Sequence, residues 1–264
     1  MDLREIRTNI DRVDGELVSF LKKRLELVDR LGLYKYIEGI GIENTDREAD
    51  IINKLYQDYD IDSDIEEVFR AIFTISKKRQ ARLFEEYRQV QDMCNTNDKN
   101  IILVGMPGSG KTSIGEKLST FLNRKFIDTD ELIYEKEASR PGEIIDRYGE
   151  NYFREIEFNV LSELINKKGL IIATGGGIVM MEKNHPHIKN SNNEVFYIDR
   201  KIENLATDGR PLSNGGLETL KNLYDIRHCK YESVADYRVY NRDIYETVYK
   251  IASIYSDKDK NARL

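Results

Sequence analysis

Cysteine, histidine and proline are scarce: the chain of 264 residues has only two, three and four of them, respectively. The cysteines, Cys94 and Cys229, are far apart in the sequence, so they do not indicate a disulfide framework and suit a reducing cytoplasm. His185 and His187 flank Pro186, but no cysteine or second histidine pair completes a ligand set there. This favours a surface loop over a metal site.

Long apolar runs and a basic excess are also missing. No stretch approaches the roughly 20 apolar residues of a membrane span, and the N-terminal residues contain no apolar core of a signal peptide. The 41 Lys and Arg residues are outnumbered by 47 Asp and Glu residues, which gives a formal net charge of -6. We therefore expect neither a membrane nor a nucleic acid as a partner.

The prolines divide the chain into two parts of different character, because all four lie after residue 95. The proline-free part is rich in helix-forming residues, and the chain is long enough for two separate cores. We predict a helical domain over residues 1–92, a polar linker over 93–99, a second domain over 100–256 and a flexible tail over 257–264.

The first part has the apolar periodicity of three amphipathic helices. Apolar residues recur every three or four positions from residue 3 to about 36. We predict a second helix that Asn44 or Thr45 caps and that runs to about residue 59, and a third over 64–91. At ~1.5 Å per residue the first helix would be roughly 50 Å long, too long for a small monomeric domain. We therefore predict an all-α domain that forms an intertwined homodimer.

The second part alternates strand and helix patterns. Short apolar runs predict strands at 101–104, 125–127, 170–173 and 195–198. Helical patterns fill 111–122, 131–138, 141–148, 153–167, 217–236 and 243–255. This alternation predicts an α/β fold with a parallel sheet and crossover helices.

Residues 105–112, Gly-Met-Pro-Gly-Ser-Gly-Lys-Thr, have the form G-x-x-x-x-G-K-[ST] between a predicted strand and a predicted helix. This context is typical of a phosphate-binding loop, in which backbone N–H groups and a helix N-terminus surround phosphate oxygens. We predict that Lys111 reaches the β- and γ-phosphates and that the Thr112 hydroxyl binds Mg²⁺. The predicted ATP-binding residues of the loop are Gly105, Gly108, Ser109, Gly110, Lys111, Thr112 and Ser113.

Further polar residues lie where a phosphoryl acceptor would bind. Asp128 and Asp130 end the second predicted strand; we predict Asp128 near Mg²⁺ and Asp130 on the hydroxyl group that reacts. Arg154 opens a predicted helix and can bind a carboxylate, although a lone Arg on a helix is usually a surface charge. Arg210 lies in a Gly/Asn/Asp-rich stretch that we expect to close as a lid over the transferring phosphoryl group.

With Phe153-Arg154-x-x-Glu157, the triplet Gly175–Gly177, Arg210-Pro211-Leu212 and Arg227-x-x-x-Tyr231, these motifs resemble the shikimate kinase family over about 100–255. The resemblance implies transfer of the ATP γ-phosphoryl group to the shikimate 3-hydroxyl, with Mg²⁺ as cofactor. It assigns catalysis to Lys111, Asp130 and Arg210, and ATP binding also to Arg210. It assigns shikimate binding to Asp130, Arg154, Gly175, Gly176, Gly177 and Arg227.

The chain departs from that family in the lid at 205–210, which is short and has Thr207 where the family often has an Arg that packs on adenine. Arg242 is a candidate replacement at the adenine. Another small hydroxylated acceptor, such as gluconate, is the alternative substrate. Arg154 and Arg227 favour a cyclic carboxylate instead.

Charged and polar residues also follow an ordered pattern in the helical part. The pattern resembles the AroQ-type chorismate mutase family over about 3–90, although charged residues on amphipathic helices are often simply exposed. The residues that carry the resemblance are Arg7, Arg24, Lys35, Asn44, Arg47, Glu48, Ser76 and Gln80. One departure is Asn44, where the family often has Asp.

The resemblance implies a unimolecular rearrangement of chorismate to prephenate that needs no cofactor, only restraint and electrostatic stabilisation. Arg7 of a partner chain and Arg24 would bind the carboxylates. Lys35 and Gln80 would flank the ether oxygen. Glu48 would hold the hydroxyl group, with Arg47, Ser76 and Asn44 nearby.

The sequence therefore predicts a cytoplasmic bifunctional enzyme of aromatic amino-acid biosynthesis. The alternative is a shikimate kinase whose helical part is a non-catalytic dimerisation or metabolite-sensing module.

Overall fold

A computed structural model of the chain describes residues 2–205 and 216–256. The chain forms two compact units that divide between Arg88 and Gln89. Within the described residues, no helix is both long and apolar enough to cross a membrane.

The first unit is built from three helices, close to the predicted bounds: α1 spans Leu3–Ile37, α2 spans Thr45–Tyr59 and α3 spans Ser63–Asn95. Of the two predicted caps of α2, the structure has Asn44: its side chain accepts a hydrogen bond of 2.9 Å from the Arg47 N–H, and Thr45 is the first residue of the helix. Helix α3 continues past the division between the units and through the first three residues of the predicted linker, 93–95.

The apolar stripe of α1 is buried along only part of its length. Val28, Leu33 and Ile37 in its C-terminal half are buried, as are Ile52 of α2 and Phe73 of α3. The N-terminal half is uncovered within the chain. Its exposed apolar side chains are Leu3, Ile6, Ile10, Val13, Leu17, Val18 and Phe20.

The second unit contains a five-stranded parallel sheet in the order β2-β3-β1-β4-β5. Its strands are β1 (Asn100–Val104), β2 (Phe126–Asp128), β3 (Ile171–Ala173), β4 (Asn193–Asp199) and β5 (Tyr237–Tyr240). Strands β1 and β3 are fully buried, as expected for a parallel sheet covered on both faces.

The helices of this unit connect the strands. They are α4 (Lys111–Leu122), α5 (Thr129–Glu137), α6 (Pro141–Tyr148), α7 (Glu150–Leu164), α8 (His185–Ile188), α9 (Gly216–Val234) and α10 (Ile244–Tyr255). Short 3₁₀ turns cover Ile178–Met180, Glu182–Asn184 and Ile202–Asn204. The surface loop predicted around Pro186 is wrong, because these residues form the single turn of α8 and both flanking histidines are half-buried. The predicted tail 257–264 lies outside the described residues.

Candidate active sites

The phosphate-binding loop follows β1 and leads directly into α4. Gly105, Gly108 and Gly110 have φ angles of 148°, 82° and 98°, which L-residues with a Cβ rarely adopt. A Cβ at Gly105 would also overlap the Ile198 carbonyl oxygen of β4. The ammonium group of Lys111 is buried and donates to the carbonyl oxygens of Gly105 and Met106 at 2.9 and 2.8 Å. The loop is therefore preformed, with its cation held at the start of α4.

The residues predicted to hold Mg²⁺ lie side by side. The Thr112 hydroxyl donates to Asp128 Oδ2 at 2.7 Å, and Asp128 Oδ1 accepts from the Asp130 N–H at 2.9 Å as the N-cap of α5. Mg²⁺ prefers hydroxyl and carboxylate oxygens supplied by one or two side chains next to substrate phosphates. These oxygens fit that ion.

One cavity of about 780 Å³ opens at the carboxyl edge of the sheet beside this loop. It brings together most of the residues predicted to act in the second unit. Among its lining residues are Gly108, Lys111, Thr112, Asp128, Asp130, Arg154, Gly175, Gly176, Gly177 and Arg227. The predicted loop residues Gly105, Ser109, Gly110 and Ser113 are not among the described residues that line it. Residues 206–210 of the predicted lid, which include Arg210, lie outside the described residues.

Arg154 is not the exposed cation that its position on a helix would ordinarily suggest. It lies buried on α7 and donates to the carboxylate of Glu157 and, at 2.7 and 3.2 Å, to Glu150 Oε1. Burial raises the pKa of Glu157 to about 7 against the opposing charge of Arg154. A buried guanidinium paired in this way is held in one position.

The glycine triplet after β3 allows charged side chains to approach the backbone closely. A Cβ at Gly175 would lie 2.8 Å from carboxylate oxygens of both Asp130 and Glu157, and a Cβ at Gly177 would overlap the guanidinium of Arg154. These glycines are therefore required by the protein's own side chains, besides the space that we predicted for a ligand.

Arg227 of α9 completes this side of the cavity. Its guanidinium donates to the Gly176 carbonyl oxygen at 3.2 Å, and the Tyr231 hydroxyl donates to the same oxygen. Burial raises the pKa of Tyr231 to about 12, so it remains a donor. Arg227 is only 5% exposed, yet its Nε has no hydrogen-bond partner within the described residues. A buried donor without a partner points to an acceptor supplied by a ligand.

In the first unit, the structure brings some of the predicted residues together. Arg24 of α1 donates to the Ser76 hydroxyl of α3 at 2.7 Å, and burial lowers its pKa. The Lys35 ammonium donates to the Ile42 carbonyl oxygen at 2.7 Å. Gln80 is 4% exposed, and its Oε1 has no hydrogen-bond partner within the described residues. Arg24 and Ser76 thus join α1 to α3, and Gln80 lies against Gly32 of α1.

Other predicted residues of this unit stand apart. Arg7 lies on the exposed half of α1, about 25 Å along the helix from Arg24 at ~1.5 Å per residue. Asn44 has its side chain engaged as the cap of α2, and Arg47 is exposed. One chain alone therefore does not bring all of the predicted chorismate-binding residues together.

Two family models match the chain: shikimate kinase over residues 107–254 and chorismate mutase type II over residues 6–81. The chain belongs to the shikimate kinase family. A chorismate mutase domain precedes its kinase domain. The predicted fusion and both predicted folds are confirmed, and the non-catalytic alternative for the helical part is not favoured.

Known shikimate kinases align with the C-terminal part. That of Sulfurihydrogenibium sp. is 34% identical over 167 residues, covering 61% of this chain and 89% of the relative. A Clostridium botulinum shikimate kinase is 40% identical over 145 residues, covering 53% and 87%. The solved structure of the Acinetobacter baumannii shikimate kinase in complex with shikimate superposes with a TM-score of 0.60 at 31% identity, over 64% of this chain and 98% of that one.

Two residues of the sites were absent from the predicted set. In the shikimate kinase domain, Glu157 belongs to the motif Phe153-Arg154-x-x-Glu157, but the sequence predicts no role for it. Its i, i+3 spacing from Arg154, which places both residues on one face of a helix, is the signal that could have shown their pairing. In the chorismate mutase domain, the Lys77 ammonium of α3 lies 3.1 and 3.3 Å from the two carboxylate oxygens of Glu48 on α2. The ion pair between Lys77 and Glu48 joins two helices that are distant in the sequence, so no local pattern could predict it.

Proposed function

We propose that the shikimate kinase domain transfers the ATP γ-phosphoryl group to the shikimate 3-hydroxyl through the residues of the cavity beside the phosphate-binding loop. The observation that carries this proposal is the placement of Lys111 and Thr112 in one cavity with Asp130, Arg154 and Arg227. Phosphate-binding and carboxylate-binding groups thus face a shared space in which donor and acceptor substrates can meet.

Each residue has a role in this proposal that its surroundings support. Arg154 and Arg227 bind the shikimate carboxylate, and the unpartnered Nε of Arg227 supplies one of the donors. Asp130 holds the reacting hydroxyl group and takes its proton. Lys111 stabilises charge on the β- and γ-phosphates, and Arg210 of the lid approaches the same group.

The hydroxyl of Thr112 and the carboxylate of Asp128 would hold Mg²⁺, directly or through water. When bound, the ion neutralises charge on the phosphates. The chain's own contribution is the hydrogen bond between these two side chains, which keeps both oxygens on the phosphate side of the loop.

ATP-dependent phosphorylation of shikimate by the full chain tests this proposal. Arg227→Met should raise KM for shikimate about 100-fold, since a buried charged contact is worth about 2–3 kcal/mol, while KM for ATP changes little. Lys221→Met, an exposed cation on the same helix, is the matched control. Equal turnover of gluconate and shikimate, or an unchanged KM for shikimate in Arg227→Met, would contradict the assignment.

We further propose that the chorismate mutase domain acts as a homodimer whose active site is shared between chains. In this proposal Arg7 of one chain joins Arg24, Lys35, Glu48, Ser76 and Gln80 of the other around chorismate. Two observations support it: the uncovered apolar side chains on the N-terminal half of α1, and the distance between Arg7 and Arg24 along that helix. Lys35 and Gln80 would stabilise the charge that develops on the ether oxygen.

Complementation tests the shared site. Arg7→Ala and Arg24→Ala chains should each lose conversion of chorismate to prephenate, measured without ATP. Co-expressed one to one, they should regain about a quarter of wild-type activity, because half of the dimers are mixed and each mixed dimer has one intact site. No recovery in a verified mixed dimer would contradict the shared site.

We place the enzyme in the cytoplasm. Cys94 and Cys229 are both free of disulfide bonds, and burial raises the pKa of the Cys94 thiol to about 12. A reducing compartment suits such thiols.

A further inference from the structure

Asn241, in the turn between β5 and α10, is a buried side chain that contacts the back of the phosphate-binding loop. It is 3% exposed, and its Nδ2 donates to the Ser109 carbonyl oxygen at 2.8 Å. Its Oδ1 lies 3.2 Å from the Thr247 hydroxyl, and its backbone N–H donates to the Asp199 carbonyl oxygen at 2.7 Å. The backbone of Asn241 and its carboxamide oxygen are therefore both held in place, and the amide nitrogen is directed at the loop.

The contact with Ser109 determines the orientation of the next peptide group. The chain has no cis peptide among its described residues, and in a trans peptide the C=O and N–H point in opposite directions. Holding the Ser109 carbonyl toward Asn241 therefore turns the Gly110 N–H away from it. In a phosphate-binding loop that N–H is one of the donors expected to face phosphate oxygens.

Gly110 shows how closely the two groups approach. It has a φ of 98°, and a Cβ built on it would lie 2.6 Å from Asn241 Nδ2. The glycine is thus needed for its conformation and also for the space that the carboxamide occupies. Lys111 holds the carbonyl oxygens of Gly105 and Met106 at the start of the loop. Asn241 holds the carbonyl oxygen of Ser109 near its end.

We propose that Asn241 is a positioning residue for the kinase reaction: its side-chain amide orients the Ser109–Gly110 peptide so that the loop can bind the phosphates of ATP. This inference rests on the nucleotide-binding role proposed above for the loop. It requires that loss of the amide weakens ATP binding and leaves the shikimate side of the cavity unchanged, because Asn241 contacts no residue named there.

Asn193 offers a matched control. It is also a buried carboxamide, 5% exposed, and its Nδ2 donates to backbone carbonyl oxygens of His187 and Ile188 at 3.0 and 3.1 Å. It begins β4, at the end of the sheet opposite the phosphate-binding loop. Its replacement disturbs a buried amide without touching the loop.

The experiment compares steady-state kinetics of the full-length wild type, Asn241→Ala, Asn241→Asp and Asn193→Ala. Asn241→Ala should raise KM for ATP about tenfold, which corresponds to the loss of one buried hydrogen bond, with KM for shikimate unchanged within about twofold. Asn241→Asp should raise KM for ATP further, because a carboxylate oxygen would face the Ser109 carbonyl oxygen. Asn193→Ala should speed hydrogen exchange of peptides that cover Ile171–Ala173 in the kinase unit and leave both KM values unchanged.

An unchanged KM for ATP in Asn241→Ala would overturn the inference, and so would an equal rise in Asn193→Ala. Asn241→Ala decides the matter if the aspartate variant does not fold. Absence of ATP-dependent turnover in the wild type would instead refute the proposed function of the loop, so the two failures are distinguishable.

Discussion

The buried carboxylate of Glu157 makes the stability of the kinase unit depend on pH. Burial has the largest effect and raises the pKa of Glu157, whereas the guanidinium of Arg154 lowers it; with smaller contributions from Asp130, which raises it, and Arg227, which lowers it, the net pKa is about 7. Below pH 4.5, the ordinary value, the carboxyl is protonated in both the folded and unfolded chain. Between pH 4.5 and 7 the folded chain binds the proton more tightly, so the stability gained from protonation is lost as pH rises through 7.

The magnitude follows from the two pKa values. A rise from 4.5 to about 7 corresponds to roughly 3 kcal/mol in total, of which roughly 2 kcal/mol is lost between pH 5.5 and 8. Glu157→Gln keeps the size of the side chain and an acceptor oxygen for Arg154 but cannot titrate. Its free energy of opening should therefore vary less with pH than that of the wild type, by about that amount.

Hydrogen exchange of peptides that cover Ile171–Ala173 measures this effect. A single melting temperature would combine the unfolding of two compact units, whereas the amides of this buried strand report on the unfolding of the kinase unit alone. Exchange rates at each pH are corrected for the intrinsic rate before comparison. Parallel pH profiles for wild type and Glu157→Gln would refute the reasoning, because they would show that Glu157 does not titrate in this range.

Two further predictions concern contacts found only in the structure. Lys77→Met should raise KM for chorismate about threefold to tenfold by releasing Glu48 from its ion pair, as measured by chorismate disappearance, whereas the exposed neighbour Lys78→Met should have no effect. Arg124→Ala should lower the opening free energy of the kinase unit by about 2–4 kcal/mol in the same exchange experiment, because it removes a guanidinium that donates to the Tyr255 hydroxyl at 2.8 Å and to three backbone carbonyl oxygens. An unchanged free energy in Arg124→Ala would show that water replaces those donors.

Features encoded by contiguous residues could be predicted from the sequence. The phosphate-binding loop needs a strand, a glycine-rich turn and a helix in direct succession, and β1 and α4 supply them at the predicted positions. Asn44 marks the start of α2 for the same reason, because a cap acts on the N–H groups that immediately follow it.

Features that depend on distant residues could not be predicted in this way. Strand β5, Tyr237–Tyr240, was not predicted: its four residues alternate buried and exposed, a pattern too short to distinguish a strand from a loop. Asn241 is a single polar residue in a turn, and its function depends on a contact with a loop 132 positions earlier. The reason for a glycine at 177 was likewise visible only once Arg154 was placed beside it.

The two active sites of this chain differ in how they gather positive charge, and this difference is measurable. In the kinase cavity, Lys111, Arg154 and Arg227 are each fixed by groups of the same unit, so we expect one chain to supply the cations of that site that the structure describes. In the mutase domain, Arg7 and Arg24 are about 25 Å apart along the continuous helix α1, so they cannot meet on one small substrate. On dilution below the dissociation constant of the proposed dimer, mutase turnover per chain should therefore fall, while kinase turnover per chain stays constant. Mutase turnover that persists in a demonstrated monomer would refute the shared site, and a parallel loss of kinase turnover would show that the kinase unit also depends on assembly.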